Sequence, residues 1–250
     1  MQTVSRTHFA LFPHGGLVDL PGNARMFIPG NKHFIGYLVG MHEEHIAGVI
    51  ERSVARGSVC LDVGANIGYF TAQMAWRAGG GGRVLCYEPD AANFSVLSEN
   101  AKLASESTGC SVIPAMAAVS SAPGTLQLMQ GEECTGHQVR NVTGSLSTGD
   151  LVKAVTLDEE CSGVSGEIAL AKIDVEGHEC DVLKGSAGIL ARRLVRTWIL
   201  EISPGADAVA IGEFLRGAGY RVSLWLDGSW REFPLDELPY RTDLLAELPG

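Results

Sequence analysis

Apolar and polar positions along the chain form two alternating kinds of segment. Short apolar runs predict buried strands at 59–63, 83–88, 111–119, 168–174 and 196–203. The segments between them have the length and mixed polarity of helices and predict them at 67–78, 91–104, 178–190 and 206–217. This strand–helix order predicts an α/β protein, in which helices cover both faces of an open, mostly parallel sheet.

The rest of the chain frames this core. Residues 1–57 are predicted to form a lead-in, with a hairpin around PGNK at 29–32 and a helix from about 41 to 56. Residues 58–250 are predicted to form one domain, and its last strands, 220–226 and 230–233, close the sheet. Shorter strands near 125–130 and at 152–157 flank a polar stretch, 131–150, which is the expected lid or substrate-facing insert.

Composition and charge exclude several classes of function. The chain has 250 residues, of which 46% are apolar, enough for the core of one large domain. A net charge of −10, without a Lys/Arg-rich run, argues against a nucleic-acid substrate. The apolar runs are too short to span a membrane and the N-terminus lacks a signal-peptide pattern, so a cytoplasmic location is expected. Six cysteines without a C-x-x-C pair suggest neither disulfides nor zinc.

Three of the predicted strands end at a carboxylate. VCLDVGANIGYF at 59–70 contains Asp62, RVLCYEP at 83–89 ends in Glu88 and Pro89, and LAKIDVEGHE at 170–179 contains Asp174. Ligands of open α/β sheets bind at the carboxyl ends of the strands, so these acids should face one crevice. The pattern therefore predicts a site for a nucleotide-type cofactor.

The turn after the first strand indicates which cofactor this is. Gly64 and Gly68 have the spacing G-x-x-x-G, unlike the G-x-G-x-x-G of dinucleotide-binding enzymes. Phosphate favours the bare amides of a helix N-terminus, where Asp62 would repel it. S-adenosylmethionine fits better, because it carries an ammonium and a sulfonium and has no phosphate. Gly64 is expected to let the backbone approach this cofactor closely.

Glu88 supports the same cofactor, since it lies 20 residues after Gly68, where an acid can accept both ribose hydroxyls. The alternatives are that Asp62 caps the next helix and that Glu88 is a solvated strand end. No acid or amide lies near 115–119 to hold the adenine amino group, so Ser120, Ser121 or backbone groups are expected there. The predicted cofactor-binding residues are Asp62, Gly64, Asn66, Gly68, Tyr69, Glu88, Pro89, Ser120 and Asp174.

Several motifs together resemble those of the FkbM-type methyltransferases. They are DVGANIGYF, the EP of CYEPD, TLD at 156–158, KIDVEGHE and WILE at 198–201, and the resemblance covers about residues 58–203. It implies the class I, Rossmann-like methyltransferase fold with seven strands and an antiparallel final strand. It also implies methyl transfer, usually to a hydroxyl of a sugar, macrolide or other specialised metabolite.

Methylating a hydroxyl requires alignment of donor and acceptor and removal of the acceptor's proton. Asp174 and Glu201 are predicted at the ends of neighbouring strands, about 4.8 Å apart. They could share a Mg²⁺ ion, with Glu176 as a third ligand. Alternatively, Asp174 and Glu201 cap helices or pair with Lys172 and Arg196, and Glu176 caps the helix near His178.

Without a metal, His178 is the first candidate for the general base, and His137 in the 131–150 insert is the second. The predicted catalytic residues are therefore Asp174, His178 and His137. His42 and His45, in MHEEH, are three residues apart, whereas the H-E-x-x-H zinc motif needs four. This pair is predicted as a solvated helix start.

The leading hypothesis is an O-methyltransferase that acts on a hydroxylated small molecule or glycan, with neither nucleic acid nor membrane as partner, and that forms a dimer. An N-methyltransferase that acts on an amine is an alternative, because its cofactor-binding motifs would look the same. A non-catalytic cofactor-binding module within a biosynthetic complex is the other alternative. Such a module would first lose the acids beyond Glu88, and here they are present.

Overall fold

Strands form most of the framework in the computed structural model, which describes residues 15–20, 23–30, 43–129, 138–141, 150–203 and 205–249. The strands are β1 (Gly16–Asp19), β2 (Arg25–Ile28), β3 (Val59–Val63), β4 (Arg83–Tyr87), β5 (Ser111–Ala115), β6 (Ala118–Val119), β7 (Gly124–Met129), β8 (Gln138–Asn141), β9 (Asp150–Val155), β10 (Ile168–Ile173), β11 (Val195–Ile202), β12 (Arg221–Leu226), β13 (Ser229–Arg231) and β14 (Thr242–Glu247). The helices are α1 (Glu44–Ser53), α2 (Tyr69–Ala78), α3 (Ala91–Thr108), α4 (Leu157–Glu160), α5 (Glu179–Lys184), α6 (Ala187–Ala191) and α7 (Ala206–Gly217).

The main sheet has eight strands in the order β13-β12-β14-β11-β10-β3-β4-β5. Strands β5, β4, β3, β10 and β11 are parallel, whereas β14 lies antiparallel between β11 and β12. The predicted class I α/β fold is confirmed, but the sheet has eight strands where seven were expected. The additional strand, β13, is a short edge strand that pairs only with β12 among the described residues.

Strand β14 was not predicted as a separate element from the residue pattern, which placed the end of the sheet at 230–233. Its residues, TDLLAE, are buried from Thr242 to Ala246 because both faces of the sheet are covered: Leu244 and Ala246 pack in one apolar cluster and Leu245 in the other. A strand of this kind lacks the alternation of a half-exposed strand, so periodicity alone does not identify it. It contributes Asp243, and the residue before it, Arg241, to the strand ends where the site lies.

The predicted strand at 111–119 is two strands. Strand β5 ends at Ala115, whose carbonyl accepts a hydrogen bond from the amide of Ala117 at 3.0 Å, and this tight turn redirects the chain. Strand β6 then pairs with β9 in a second, four-stranded sheet of order β6-β9-β7-β8. The predicted helix at 178–190 is likewise divided, into α5 and α6, with Gly185 and Ser186 between them.

Two apolar clusters enclose the main sheet. Helices α1 and α2 and strands β1 and β2 pack on one face, and α4 to α7 pack on the other. Strands β1 and β2 form a hairpin that turns between Leu20 and Ala24. The hairpin predicted around 29–32 extends into residues 31–42, which lie outside the described residues, and stays a prediction. Asn100 of α3 fastens the β1–β2 hairpin, since its amide side chain bonds both the amide and the carbonyl of Phe27.

No helix among the described residues is long and apolar enough to cross a membrane.

Candidate active site

A cleft opens at the carboxyl ends of β3, β4, β10 and β11. Its empty space, including the part open to solvent, is about 1130 Å³. It is lined by Glu43, Asp62, Val63, Gly64, Ala65, Asn66, Tyr69, Phe70, Tyr87, Glu88, Pro89, Asn93, Ala117, Ala118, Val119, Lys172, Asp174, Val175, Glu176, Glu201 and Arg241. Most of the predicted cofactor-binding residues are in this set, whereas Gly68 and Ser120 are not.

Asp62 presents a buried carboxylate to the cleft. One oxygen, Oδ2, accepts a hydrogen bond from the Thr71 hydroxyl at 2.5 Å. The other, Oδ1, is buried and has no hydrogen-bond partner among the described residues. Burial raises the pKa of Asp62, although Lys172 and Thr71 act in the opposite direction. A buried acid with an unused oxygen fits a cationic ligand group, because a cation would compensate the lost hydration.

Glu88 joins the two loops that follow β3 and β4. Its oxygens accept hydrogen bonds from the amides of Asn66 at 2.8 Å and Asp90 at 3.0 Å. Burial raises the pKa of Glu88 to about 7, against the opposing effect of these hydrogen bonds. The Asn93 side chain also hydrogen-bonds Glu88, so three of the roughly four acceptor sites of this carboxylate are used within the protein and one is left for a ligand hydroxyl. Glu88 is therefore mainly a structural acceptor that can also accept a hydrogen bond from a ligand.

Gly64 packs closely against the backbone of Asp174. Its φ is +75°, and a β-carbon there would lie 1.8 Å from the carbonyl oxygen of Asp174. From the sequence, Gly64 was expected to let the backbone approach the cofactor closely. Gly64 does line the cleft, but the nearest obstacle to a side chain is the backbone after β10.

Lys172 is a buried ammonium between the acids and is only 3% exposed. Its Nζ lies 3.0 Å from Asp174 Oδ2 and 4.9 Å from the centre of the Phe70 ring. Burial alone would lower the pKa of Lys172, but Asp174, Asp62 and Glu43 together raise it. Of the two pairs that were the alternative to a metal, Lys172–Asp174 is present. Arg196 instead lies 3.5 Å from Glu167.

Asp174, Glu176 and Glu201 each place a carboxylate oxygen within 4.8 Å of the others, as a metal site would require. However, Arg241 forms ion pairs with both Glu176, at 2.6 Å, and Glu201. Since Lys172 pairs with Asp174, each of the three acids already has a cationic partner. The cluster therefore fits an ion-pair network better than a magnesium ion, which would have to displace Arg241.

Beside the cleft lies a second hollow with an empty space of about 750 Å³, including the part open to solvent. It shares Glu176, Glu201 and Arg241 with the cleft and adds Gly177, Glu179, Ile202, Ser203, Gly205, Asp207, Ala208 and Ile211. Its polar lining consists mainly of acids around one guanidinium. A molecule held there would lie next to the Asp174 end of the cleft.

His178 and Ser120 are placed away from the cleft, contrary to their predicted roles. Ser120 Oγ lies 2.9 Å from His178 Nε2, and both residues are buried. His178 Nδ1 lies 3.6 Å from Asp181 Oδ2. Burial lowers the pKa of His178, so the neutral ring is favoured. Residues 117–119 line the cleft where Ser120 was expected. His137 lies outside the described residues.

The predicted solvated helix start is wrong for His45, which is part of a packed cluster. Its Nε2 lies 2.6 Å from Asp243 Oδ2, and its ring stacks on Trp225 with 4.5 Å between ring centres. Glu43, two residues earlier, lines the cleft. Glu43 and Arg241, which line the cleft, were missed as site residues, because only tertiary contacts bring the lead-in and the last strand to this crevice. His42 lies outside the described residues.

The sheet order and the strand-end cleft are those of the class I methyltransferase fold. Residues 62–222 match the family model described as the methyltransferase FkbM domain. The chain therefore belongs to the FkbM family of S-adenosylmethionine-dependent methyltransferases.

Similarity to individual proteins is more distant. The chain is 29% identical over 180 residues to the hexuronic acid methyltransferase AglP of Haloferax volcanii, covering 70% of this chain and 69% of that protein. It is similar to the structure of methyltransferase FkbM from Methylobacillus flagellatus, with 17% identity and a TM-score of 0.49. That match covers 76% of this chain and 44% of the other, so the chain spans less than half of that structure. Fibrillarin of Aeropyrum pernix, solved with S-adenosylmethionine, gives 12% identity and a TM-score of 0.44, covering 93% of this chain and 94% of the other.

Proposed function

We propose that the protein transfers a methyl group from S-adenosylmethionine to a hydroxyl of a sugar-type acceptor, either a small molecule or part of a glycan. The observation that carries this proposal is the unused buried oxygen of Asp62, in a cleft that continues into an acid- and arginine-lined hollow. The first feature fits a cationic methyl donor, and the second fits a polyhydroxylated acceptor.

The donor half is assigned to the loops after β3, β4 and β5. Asp62 would bind the ammonium group of S-adenosylmethionine, and Glu88 would accept a hydrogen bond from one of its ribose hydroxyls. Backbone groups of 117–119 would contact the adenine, in the place predicted for Ser120. S-adenosylmethionine supplies an electrophilic methyl group when it is bound.

The acceptor half is assigned to the hollow that Glu176, Glu201 and Arg241 share with the cleft. Carboxylates accept hydrogen bonds from sugar hydroxyls, and the guanidinium can donate to ring or carboxylate oxygens. The relative from Haloferax volcanii is named for hexuronic acid, a sugar that carries hydroxyls and a carboxylate. An acidic sugar is therefore the first acceptor class to test.

In this arrangement the chain contributes mainly by aligning the methyl donor with the acceptor hydroxyl. Such alignment can lower the activation barrier by on the order of 7–11 kcal/mol in favourable cases. Asp174, fixed by Lys172, lies between the two halves and would orient the acceptor hydroxyl. The negative charge of the acid cluster would be balanced by Lys172 and Arg241, without a magnesium ion.

The test is methyl transfer from radiolabelled S-adenosylmethionine to three acceptor probes: methyl glucuronide, methyl glucoside and glucosamine. We expect label in methyl glucuronide that is stable to mild alkali, because an ether resists hydrolysis and a methyl ester does not. Alkali-labile label would place the methyl group on a carboxylate, and label on the nitrogen of glucosamine would favour an N-methyltransferase. Absence of S-adenosylmethionine binding by calorimetry would contradict the donor assignment itself.

A further inference from the structure

Glu43 enters the cleft from a part of the chain that precedes the family match, which begins at residue 62. It lies immediately before α1, in the left-handed conformation with φ 49° and ψ 53°. Its carbonyl accepts hydrogen bonds from the amides of Ile46 at 2.9 Å and Ala47 at 3.3 Å. Because α1 is anchored on the sheet by buried apolar residues, the position of Glu43 is fixed by the core.

Charged and titratable groups face Glu43 from each element packed around it. They are Lys172 and Asp174 at the end of β10, Asp243 of β14, His45 of α1 and Tyr69 of α2. Asp174 is paired with Lys172 and Asp243 with His45. Burial raises the pKa of Glu43 to about 7, against the opposing effect of Lys172. A carboxyl with a pKa near the working pH is suited to proton transfer.

We propose that Glu43 accepts the proton of the acceptor hydroxyl during methyl transfer, a role that rests on the proposed function. The acceptor oxygen forms its bond to the methyl carbon as the carbon–sulfur bond breaks, and the electron pair of that bond stays on sulfur. The hydroxyl proton moves to the Glu43 carboxylate. The products are the methyl ether, S-adenosylhomocysteine and a protonated Glu43, which later returns the proton to solvent.

The charge balance of the cleft favours this assignment. Methyl transfer converts a sulfonium cation into a neutral thioether, so the cleft loses one positive charge. A proton on Glu43 restores that charge within the same partly buried space, which avoids leaving an additional uncompensated carboxylate. Asp174 is less suited to the role because Lys172 holds its carboxylate at 3.0 Å. His178 is bonded to Ser120 outside the cleft.

The first experiment measures proton release on ligand binding, by calorimetry in two buffers of different ionisation enthalpy at pH 7. Free Glu43, with a pKa of about 7, is about half protonated at this pH. The sulfonium should favour its ionised form, so S-adenosylmethionine should release up to about half a proton more than S-adenosylhomocysteine. Glu43→Gln should change this difference by that amount. Glu51→Gln, an exposed carboxylate on the same helix, is the matched control and should not.

The second experiment measures single-turnover methylation of methyl glucuronide. At saturating S-adenosylmethionine, Glu43→Gln should slow it at least 100-fold, while affinity for S-adenosylhomocysteine, which lacks the sulfonium, stays within threefold of the wild type. Glu43→Asp should retain part of the wild-type rate, and the control variant Glu51→Gln should retain all of it. The wild-type rate should rise with pH along a single ionisation that Glu43→Gln lacks.

The outcomes separate the two proposals. Failure of both ligands to bind would overturn the proposed function. Binding that leaves the proton-release difference unchanged in Glu43→Gln would overturn the role of Glu43 alone, as would a Glu43→Gln enzyme with the wild-type rate and pH profile.

Discussion

The carbonyl oxygen of Asp174 occupies the space that a β-carbon on Gly64 would need, 1.8 Å away. The two residues follow the adjacent parallel strands β10 and β3, and the amide of Asp174 donates to the carbonyl of Val63 at 3.0 Å. The turn after β3 and the loop after β10 are thus in direct backbone contact. A change in one loop is expected to move the other.

Gly64→Ala tests this contact. We expect the free energy of unfolding to fall by more than about 3 kcal/mol, because the added carbon meets backbone and the positive φ is strained. Gly57→Ala is the control, since Gly57 has φ +82° and no heavy atom within 4 Å of an added β-carbon. It should lose only about 1 kcal/mol in denaturant titrations. Equal losses in the two variants would show that the Asp174 contact is unimportant.

Asp62→Asn tests the assignment of the cofactor ammonium. Losing a charge-assisted hydrogen bond of about 1.5–3 kcal/mol corresponds to a roughly 10- to 150-fold weaker affinity. The loss should be similar for S-adenosylmethionine and S-adenosylhomocysteine, because both carry the ammonium. Calorimetry of both ligands measures it. Retained affinity in Asp62→Asn would mean that the ammonium binds elsewhere.

Glu88 should make stability depend on pH. The pKa of Glu88 is about 7 in the folded chain, against an ordinary value of 4.5. Between these two pH values the folded chain therefore binds more protons than the unfolded chain. The stability that this protonation provides is complete below the ordinary value and is lost as pH rises through 7, by on the order of 3 kcal/mol for this group. Urea titrations from pH 4.5 to 7.5 should show a smaller decline in Glu88→Gln than in the wild type or in Glu51→Gln. Parallel curves of stability against pH for all three proteins would contradict a raised pKa of Glu88.

Arg241→Gln tests whether the acid cluster is balanced by protein cations. We expect wild-type protein to bind Mn²⁺ weakly in electron paramagnetic resonance titrations, because Arg241 occupies Glu176 and Glu201. The variant should bind Mn²⁺ at least tenfold more tightly, since the acids lose their partner. The control is Arg196→Gln, which removes a positive charge from an exposed pair with Glu167. Tight Mn²⁺ binding by the wild type would restore the metal hypothesis.

His178→Ala tests a structural role for the histidine next to Ser120. The pKa of His178 is lowered by burial, so its neutral form stabilises the fold above the ordinary value of 6.5 and this contribution is lost as pH falls below it. The variant should be destabilised at pH 7.5 and should lose less stability than the wild type between pH 7.5 and 5. Thermal unfolding at the two pH values measures this. Affinity for S-adenosylmethionine should stay within threefold of the wild type, and a larger loss would return His178 to the site.

The central strands and the donor side of the cleft were largely predictable from the sequence. Strand β3 was predicted with its observed bounds, and Asp62, Asn66 and Glu88 line one cleft, because parallel strands end at the same edge. Short-range patterns sufficed here, since each acid directly follows or ends an apolar run. Whether these residues bind the cofactor stays a prediction.

The contribution of the lead-in and of the last strand was harder to predict, because it depends on long-range contacts. His45 and Asp243 are 198 residues apart in sequence, and no local pattern marks them as partners. Arg241 precedes a strand that the hydrophobic pattern did not reveal. Lys172 carried a usable signal, since a single lysine within an otherwise apolar strand requires a buried anion.

The antiparallel insertion of β14 between β11 and β12 also orders events during synthesis of the chain. The donor loops are complete once residues 59–119 have left the ribosome, whereas Arg241 and Asp243 arrive more than 100 residues later. Until then, β11 and β12 have no strand between them, and Glu176, Glu201 and His45 lack the partners they have in the folded chain. The growing chain therefore contains the residues assigned to the donor half well before Arg241, so the acid cluster can become fully paired only when the last strand has been made.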